Sequence, residues 1–185
     1  FAPFSFDFDK MRQDVERHPG MHITAYPLRP SSRGHVHITS TDPDAAPELV
    51  TNYRDTEEDR RAMIGIVRVA REYVKQAPLG QYIEAETMPG PDYESDEKIL
   101  EAYDKFGTCG YHAVGSCRMS NDSAASVVDP NLRVRGVDGL RIIDTSIMPV
   151  IPSGNTNGPT MAMAWRAADL ILASARAPAS DRLPA

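Results

Sequence analysis

Three neighbouring segments in the second half of the chain decide how it folds: GTCGYHAVGSCRM at residues 107–119, VVDPNLRVRGVDGLRIIDTSIMP at 127–149 and SGNTNGPT at 153–160. Glycine, proline, asparagine and aspartate interrupt the apolar residues at short intervals, which predicts short extended stretches joined by tight turns. The apolar run at 161–175 then predicts a helix that Asn157 caps, with Pro159 in its first turn. Because this helix is apolar on most of its faces, we expect it to be buried.

In order and in spacing, these segments resemble the C-terminal signature of the glucose-methanol-choline (GMC) family of flavin-dependent alcohol oxidoreductases. The match is strong after Tyr103 and weaker before Pro91. The resemblance implies an α+β fold in which an antiparallel sheet is backed by helices. It assigns residues 1–126 to a portion of the substrate-binding domain and residues 127–185 to a C-terminal segment that returns to complete the FAD-binding domain.

The chemistry that the resemblance implies is the oxidation of an alcohol, with a primary alcohol as the expected substrate. Hydride transfer needs a base that takes the hydroxyl proton as the hydride leaves the adjacent carbon. A histidine suits this task because its pKa lies near neutrality, and the resemblance assigns it to His112, with flavin N5 as the hydride acceptor. The resemblance gives the amide of Asn155 the role of hydrogen-bonding the substrate oxygen. The simpler alternatives are that His112 is a core or surface residue without a catalytic role and that Asn155 only forms a turn.

The resemblance also implies bound FAD. The backbone of Tyr111 lies along the flavin, Asp144 lies near the ribityl and phosphate part, and the N–H group after Asp144 contributes. The N-terminus of the last helix carries unpaired N–H groups and a partial positive charge, which suits the negative edge of a reduced flavin. From its sequence alone, Asp144 could instead cap the turn that follows it. The residues assigned to the cofactor are Tyr111, His112, Asp144, Thr145, Asn155, Thr156 and Asn157.

A complete member of this family begins with a G-x-G-x-x-G turn that cradles the dinucleotide, and no such turn occurs in this sequence. The alternation of Phe1, Phe4, Phe6 and Phe8 predicts a strand cut from something longer. We therefore expect the chain to be the C-terminal portion of a larger enzyme. Its partners are then the N-terminal FAD-binding portion, in a separate chain or a missing segment, and a small-molecule alcohol.

The first half of the sequence predicts a β-hairpin. Residues 21–29 and 34–40 alternate as strands do, with residues 30–34 as the turn between them and 42–55 as an extended loop. His35 and His37 share one face of the second strand, where they could ligate a metal together. No Cys, Asp or Glu near them completes a ligand set, and the family segment that this stretch resembles holds no metal, so we predict none.

Two helices follow. Over residues 57–76, apolar side chains recur at spacings of three and four while basic ones, Arg71 among them, fall on the other side. This basic face could contact a partner, but our default interpretation is a solvated face. Three acidic residues in the first turn suit the helix dipole. A shorter helix is predicted over residues 95–105, with Ser95 as its N-cap.

Composition excludes several classes of protein. The 185 residues carry a net charge of -6, which argues against a nucleic-acid surface because such a surface needs a clustered basic face. No apolar run approaches the length of a membrane span. The two cysteines, Cys109 and Cys117, match no zinc framework and are interpreted as small buried thiols beside the site.

Two other functions compete with alcohol oxidation. Hydroxynitrile lyases of the same family bind FAD but cleave cyanohydrins without net redox chemistry, and we associate them with a histidine at the position of Asn155. A non-catalytic interaction domain derived from such an enzyme is the second alternative, and the presence of both His112 and Asn155 argues against it. A visible spectrum separates the three, because only an alcohol oxidoreductase loses its flavin absorbance when the alcohol is added.

Overall fold

The computed structural model describes residues 1–6 and 14–176. Its helices and its small antiparallel sheet confirm a mixed α+β architecture. The chain divides into two compact units, one formed by Phe1–Pro27 with Glu57–Gly107 and the other by Leu28–Thr56 with Thr108–Ala185. The assignment of residues 1–126 and 127–185 to two functional domains stays a prediction. Among the described residues, no helix is both long and apolar enough to cross a bilayer.

The first unit is built on helices α1 (Glu57–Lys75) and α2 (Asp96–Phe106), which confirms both predicted helices. The hydroxyl of Ser95 accepts a hydrogen bond from the Lys98 N–H at 3.3 Å, so Ser95 is the N-cap that the sequence predicts. The two helices contact each other, with Ile99 fully buried, and the Tyr103 hydroxyl donates to the Met63 carbonyl at 3.1 Å. Burial raises the pKa of Tyr103.

Arg71 corrects the prediction that the basic side of α1 is only a solvated face. Its guanidinium donates two parallel hydrogen bonds of 2.8 Å to the Glu86 carboxylate and further bonds to the carbonyls of Tyr93 at 2.9 Å and Gly90 at 3.3 Å. Glu86 raises the pKa of Arg71 through this pairing. Helical periodicity places Arg71 on a face but does not reveal that residues 86–93 return to cover that face.

The second unit contains strands β1 (His35–His37) and β2 (Glu48–Val50), paired antiparallel with His35 opposite Val50 and His37 opposite Glu48. The predicted hairpin between residues 21–29 and 34–40 is therefore wrong, because β1 pairs with a segment that we predicted to be loop. Pro27 removes an N–H donor from the expected partner strand, residues 21–29. In addition, a Cβ at Gly34 would lie 2.1 Å from the Val50 carbonyl oxygen, so the missing side chain permits the close approach of β2.

The N-terminal phenylalanines form no strand in the described residues. Ala2 pairs with His22, and Phe6 pairs with Val15, each as an isolated antiparallel bridge. Phe8 lies outside the described residues. Over residues 127–143, isolated bridges likewise take the place of the predicted short strands. Val128 pairs with Val134, and Arg133 pairs with Arg141. The tight turns in that segment leave too few residues between them for a continuous ladder.

The core of the second unit consists of Val128, Leu132, Ile147 and Ala167, all buried. Between the first two, the Asp129 carboxylate accepts hydrogen bonds from the N–H groups of Asn131 at 2.7 Å and Arg133 at 2.9 Å, which folds the chain back on itself. Ala167 brings helix α3 (Asn157–Arg176) into this core. The core thus joins the last helix to the turn-rich segment that precedes it.

Helix α3 departs from two expectations. It begins at Asn157, so Asn157 is its first residue and not its cap, although Pro159 does lie in the first turn. Only Ala167 is buried on it, whereas three of its large apolar side chains are exposed: Met161, Leu172 and, at 78%, Trp165. The expectation of a buried helix is therefore wrong for this chain, because the described residues cover only one of the apolar faces.

Candidate functional site

His112 lies in the loop that follows α2, and its backbone setting explains the small residues around it. Tyr111 just before it has a φ of 58°, and Gly115 just after it has a φ of 88°, a conformation that residues with a side chain rarely adopt. A Cβ at Gly115 would also lie 3.4 Å from the Met148 carbonyl oxygen. The loop therefore turns sharply on both sides of His112 and passes close to the chain near residue 148.

The His112 ring contacts the start of α3. Its Nδ1 atom lies 3.0 Å from the hydroxyl oxygen of Thr156, within a hydrogen bond. Thr156 is only 7% exposed, and its carbonyl accepts hydrogen bonds from the N–H of Thr160 at 2.9 Å and from the Thr160 hydroxyl at 2.7 Å. Two motifs that lie 44 residues apart in sequence thus meet through one pair of side chains.

Asn155 and Asn157 flank Thr156, and both are exposed. The segment ahead of them is held by Arg29, whose guanidinium donates to the Ile151 carbonyl and, at 2.6 Å, to the Ser153 hydroxyl. Sequence analysis missed Arg29, because 122 residues separate it from Ile151 and no local pattern signals the contact. The side chain of Arg29 therefore fixes the approach of the chain to Asn155.

Asp144 takes the simpler of its two predicted roles in the structure. Its carboxylate accepts a hydrogen bond from the Ser146 N–H at 2.7 Å and so caps the single 3₁₀ turn Thr145–Ile147. The carbonyls of Ser146 and Ile147 in turn accept hydrogen bonds from Cys117 at 3.0 Å and Met119 at 2.9 Å. These bonds tie the turn to the segment after His112, while the assignment of Asp144 and Thr145 to FAD stays a prediction.

Tyr111 is 85% exposed, and its N–H donates to the Cys109 sulfur at 3.3 Å. The same sulfur is hydrogen-bonded to the hydroxyl of Tyr53, and that bond together with burial raises the pKa of Tyr53 to about 12. Both Cys109 and Cys117 are free thiols and only half-buried, so the prediction of buried thiols is too strong. Cys109 serves here as a local hydrogen-bond partner for the turn before His112.

The described residues contain no group of three or more His, Cys, Asp or Glu side chains with the geometry of a metal site. The His35 and His37 rings lie 4.7 Å apart, and His35 faces Glu48 at 3.7 Å. An apolar groove of about 470 Å³ lies in the first unit, lined by α1 and residues 23–25, and it contains none of the predicted site residues. We therefore place the candidate site at His112 and the start of α3.

The residues at this site suit an anionic, hydrogen-bonding edge of a ligand. The start of a 20-residue helix presents N–H groups without helical partners, among them those of Asn157 and Gly158, together with a partial positive charge. A side chain at Gly110, Gly154 or Gly158 would meet no atom of the described chain within 4 Å, so a ligand can approach the backbone there. The chemistry of these donors fits the polar edge of a flavin.

Comparison with known proteins relates this site to one family. Residues 30–164 match the family described as GMC oxidoreductase, in its C-terminal region. The oxygen-dependent choline dehydrogenase 1 of Chromohalobacter salexigens is 38% identical over 172 residues, which are 92% of this chain and 30% of that protein. The chain thus spans about a third of the length of the curated relatives it matches.

Solved structures show the same similarity. An FAD-dependent oxidoreductase from Chaetomium thermophilum superposes with a TM-score of 0.73 at 30% identity, over 82% of this chain and 26% of that one. A fungal aryl-alcohol oxidase superposes with a TM-score of 0.68 at 29% identity, over 81% of this chain and 25% of that one. The family match over residues 30–164 contains both the His112 loop and the segment that leads into α3.

Proposed function

This chain belongs to the GMC oxidoreductase family, and on that premise we propose that it is the C-terminal part of an FAD-dependent enzyme that oxidises an alcohol to the corresponding carbonyl compound. The observation that carries the proposal is the hydrogen bond between His112 and Thr156, because it joins a candidate base to the residue that immediately follows Asn155. Choline dehydrogenase and aryl-alcohol oxidase among the similar proteins support a CH–OH donor.

When bound, FAD supplies the acceptor for the hydride. The N–H groups around Asn157 at the start of α3 would hold the flavin ring, and Asp144 with the N–H of Thr145 would hold the ribityl and phosphate part. Tyr111 contributes its backbone, which its positive φ turns sharply just before His112. Partial positive charge at the helix start favours negative charge on the ligand beside it.

His112 is the proposed base. Its Nδ1 is engaged with the Thr156 hydroxyl, so Nε2 is the nitrogen that takes the proton from the alcohol oxygen. With FAD bound to accept the hydride from the adjacent carbon, Nε2 would hold the alcohol proton and the carbonyl compound would be left. Asn155 holds the substrate oxygen through its amide and limits the orientations that the alcohol can adopt. A primary alcohol carries the required C–H bond on the carbon that bears the hydroxyl.

The complete enzyme also needs a portion that cradles the FAD pyrophosphate. We propose that an N-terminal FAD-binding portion, in the same polypeptide or in a partner chain, covers the exposed apolar side of α3. Met161, Trp165 and Leu172 on that helix are all more than half exposed. Burial of a large apolar side chain stabilises by about 1.5–3 kcal/mol, so covering these three side chains would contribute to association.

The test is a spectrum of the complete enzyme under anaerobic conditions. Bound oxidised flavin absorbs blue light, and addition of a substrate alcohol is expected to bleach that absorbance. A panel of quaternary-amino, aromatic, furanic and sugar alcohols identifies the substrate class. A cyanohydrin that is cleaved without bleaching would identify a hydroxynitrile lyase instead, and an enzyme that binds no flavin would identify an interaction domain.

A further inference from the structure

We infer that Thr156 selects the tautomer of His112: its hydroxyl oxygen accepts the proton carried by Nδ1 and thereby leaves Nε2 basic. The inference rests on the proposed function, in which His112 is the base. Thr156 is then a positioning residue that acts through His112. Its assignment to FAD came from resemblance, whereas its side chain in the structure contacts the imidazole ring at 3.0 Å.

The Thr156 side chain is buried and its backbone is anchored, which favours one geometry of the hydrogen bond to His112. At 7% exposure, the side chain meets little competition from water for its hydrogen bonds. The carbonyl of the same residue accepts from both the N–H and the hydroxyl of Thr160, which fixes its backbone at the start of α3. The hydroxyl oxygen is thus held in place before any ligand binds.

The sequence of the first helical turn helps to keep this hydroxyl available. Because the Thr156 carbonyl accepts the first helical hydrogen bond, Thr156 is the N-cap of α3. An N-cap hydroxyl commonly accepts a hydrogen bond from the second or third helical residue. The third residue here is Pro159, which has no N–H group. One of the two usual capping partners is therefore absent.

Only one direction of the His112–Thr156 bond is compatible with a base. If Thr156 donated to Nδ1, the ring proton of neutral histidine would sit on Nε2, and Nε2 could not accept a second proton. If Thr156 accepts from Nδ1–H, Nε2 carries a lone pair before proton transfer. The same bond survives afterwards, since both ring nitrogens of the imidazolium are donors. One arrangement thus serves both protonation states.

The first test measures the tautomer directly. We would label the histidines of the complete, flavin-loaded enzyme with ¹⁵N and assign His112 by the loss of its signals in His112→Ala. The expected spectrum shows neutral His112 with the proton on Nδ1. In Thr156→Val, which has a similar shape but no hydroxyl, a substantial fraction of Nε2–H tautomer should appear, whereas Thr156→Ser should keep the parent signals.

The second test measures the rate and pH dependence of flavin reduction. Thr156→Val is expected to slow it by about tenfold to a hundredfold, the scale of a misplaced catalytic group. The acid limb of the profile should move to lower pH, because the imidazolium loses a hydrogen-bond acceptor. Thr156→Ser should recover most of the rate. Thr51→Val is the matched control, because it makes the same substitution at an exposed threonine outside the site and should leave the rate and the pH profile unchanged.

Two results would overturn the inference: an Nε2–H tautomer in the parent enzyme, or Thr156→Val with parental tautomer and pH profile. Flavin content and melting temperature show whether a variant is folded, and Thr156→Ser keeps the comparison possible if the valine variant is not. Failure of the proposed function looks different. In that case the alcohol does not bleach the flavin of the parent enzyme, or His112→Ala reduces its flavin at the parental rate, whatever the tautomer of His112 proves to be.

Discussion

At the scale of single residues, His112 has a partly buried hydrogen bond on one ring nitrogen and lies in a loop of small residues. We expect His112→Ala in the complete enzyme to slow flavin reduction by roughly a hundredfold or more, the usual effect of losing a positioned general base. FAD should stay bound. Stopped-flow absorbance under anaerobic conditions measures the rate.

The matched control is His37→Ala, which removes an exposed imidazole from β1 and should leave the rate unchanged. Near-parental reduction by His112→Ala across the pH range would remove His112 from the role of base. A spectrum of the purified variant shows that any loss of rate is not a loss of flavin.

Variants of Asn155 distinguish positioning of the substrate from transfer of its proton. If its amide only holds the alcohol oxygen, Asn155→Ala should weaken alcohol binding and slow flavin reduction, while the ionisation assigned to His112 stays in the pH profile. The reason is that an amide has no proton to exchange in this range. Asn155→His should fold and keep FAD, and it adds a second titrating group to the profile.

The measurement is anaerobic flavin reduction against pH and alcohol concentration for the parent and both variants. Asn121→Ala, in an exposed loop, is the control for a lost amide. If Asn155→Ala reduced its flavin as fast as the parent at low and at saturating alcohol, Asn155 would be a turn residue only.

At the scale of elements, Arg71 fastens residues 86–93 to α1. We expect Arg71→Lys to loosen this segment, because a lysine ammonium cannot reproduce two parallel bonds to Glu86 together with two carbonyl bonds. The expected loss of local stability is about 1.5–3 kcal/mol, the range for hydrogen bonds to charged groups. Hydrogen exchange at the Gly90 N–H, which donates to Glu86 at 3.2 Å, reports the loosening.

Arg68→Lys is the matched control on the same helix. Arg68 pairs with Asp96, but their side chains are 57% and 52% exposed, against 19% and 34% for Arg71 and Glu86. An exposed pair contributes little, so exchange at Gly90 should stay at the parental rate. Equal exchange in both variants would mean that the segment is held by something other than Arg71.

The elements also show what could be predicted from sequence. Helices α1 and α2 were found because their signals, the Ser95 cap and the apolar spacing, are local. The partner of β1 was missed because the approach of Gly34 to Val50 is a contact between distant residues. For the same reason, sequence motifs point to His112 and Asn155, whereas the contact of His112 with Thr156 and the clamp of Arg29 become visible only in three dimensions.

At the scale of the whole molecule, the exposed apolar side of α3 and the absence of a G-x-G-x-x-G turn from this sequence have one joint consequence. The 185-residue chain expressed alone is expected to purify colourless and to bind a dye that reports exposed apolar surface. Addition of the N-terminal portion should suppress the dye signal and restore flavin binding. Stoichiometric FAD on the isolated chain would contradict this prediction.

The hydrogen bond from His112 to the start of α3 makes the proton acceptor and the helix end move as one. If His112 is the base and α3 lies beside the flavin, as we propose, a displacement of α3 along its axis would change the distance of proton transfer and, at the same time, the electric field that favours negative charge on the flavin. In the proposed mechanism, the isotope effects of the O–H and C–H bonds would therefore both depend on this one displacement. If motion of this helix were slower than the chemical step, it would limit the rate and reduce both isotope effects together.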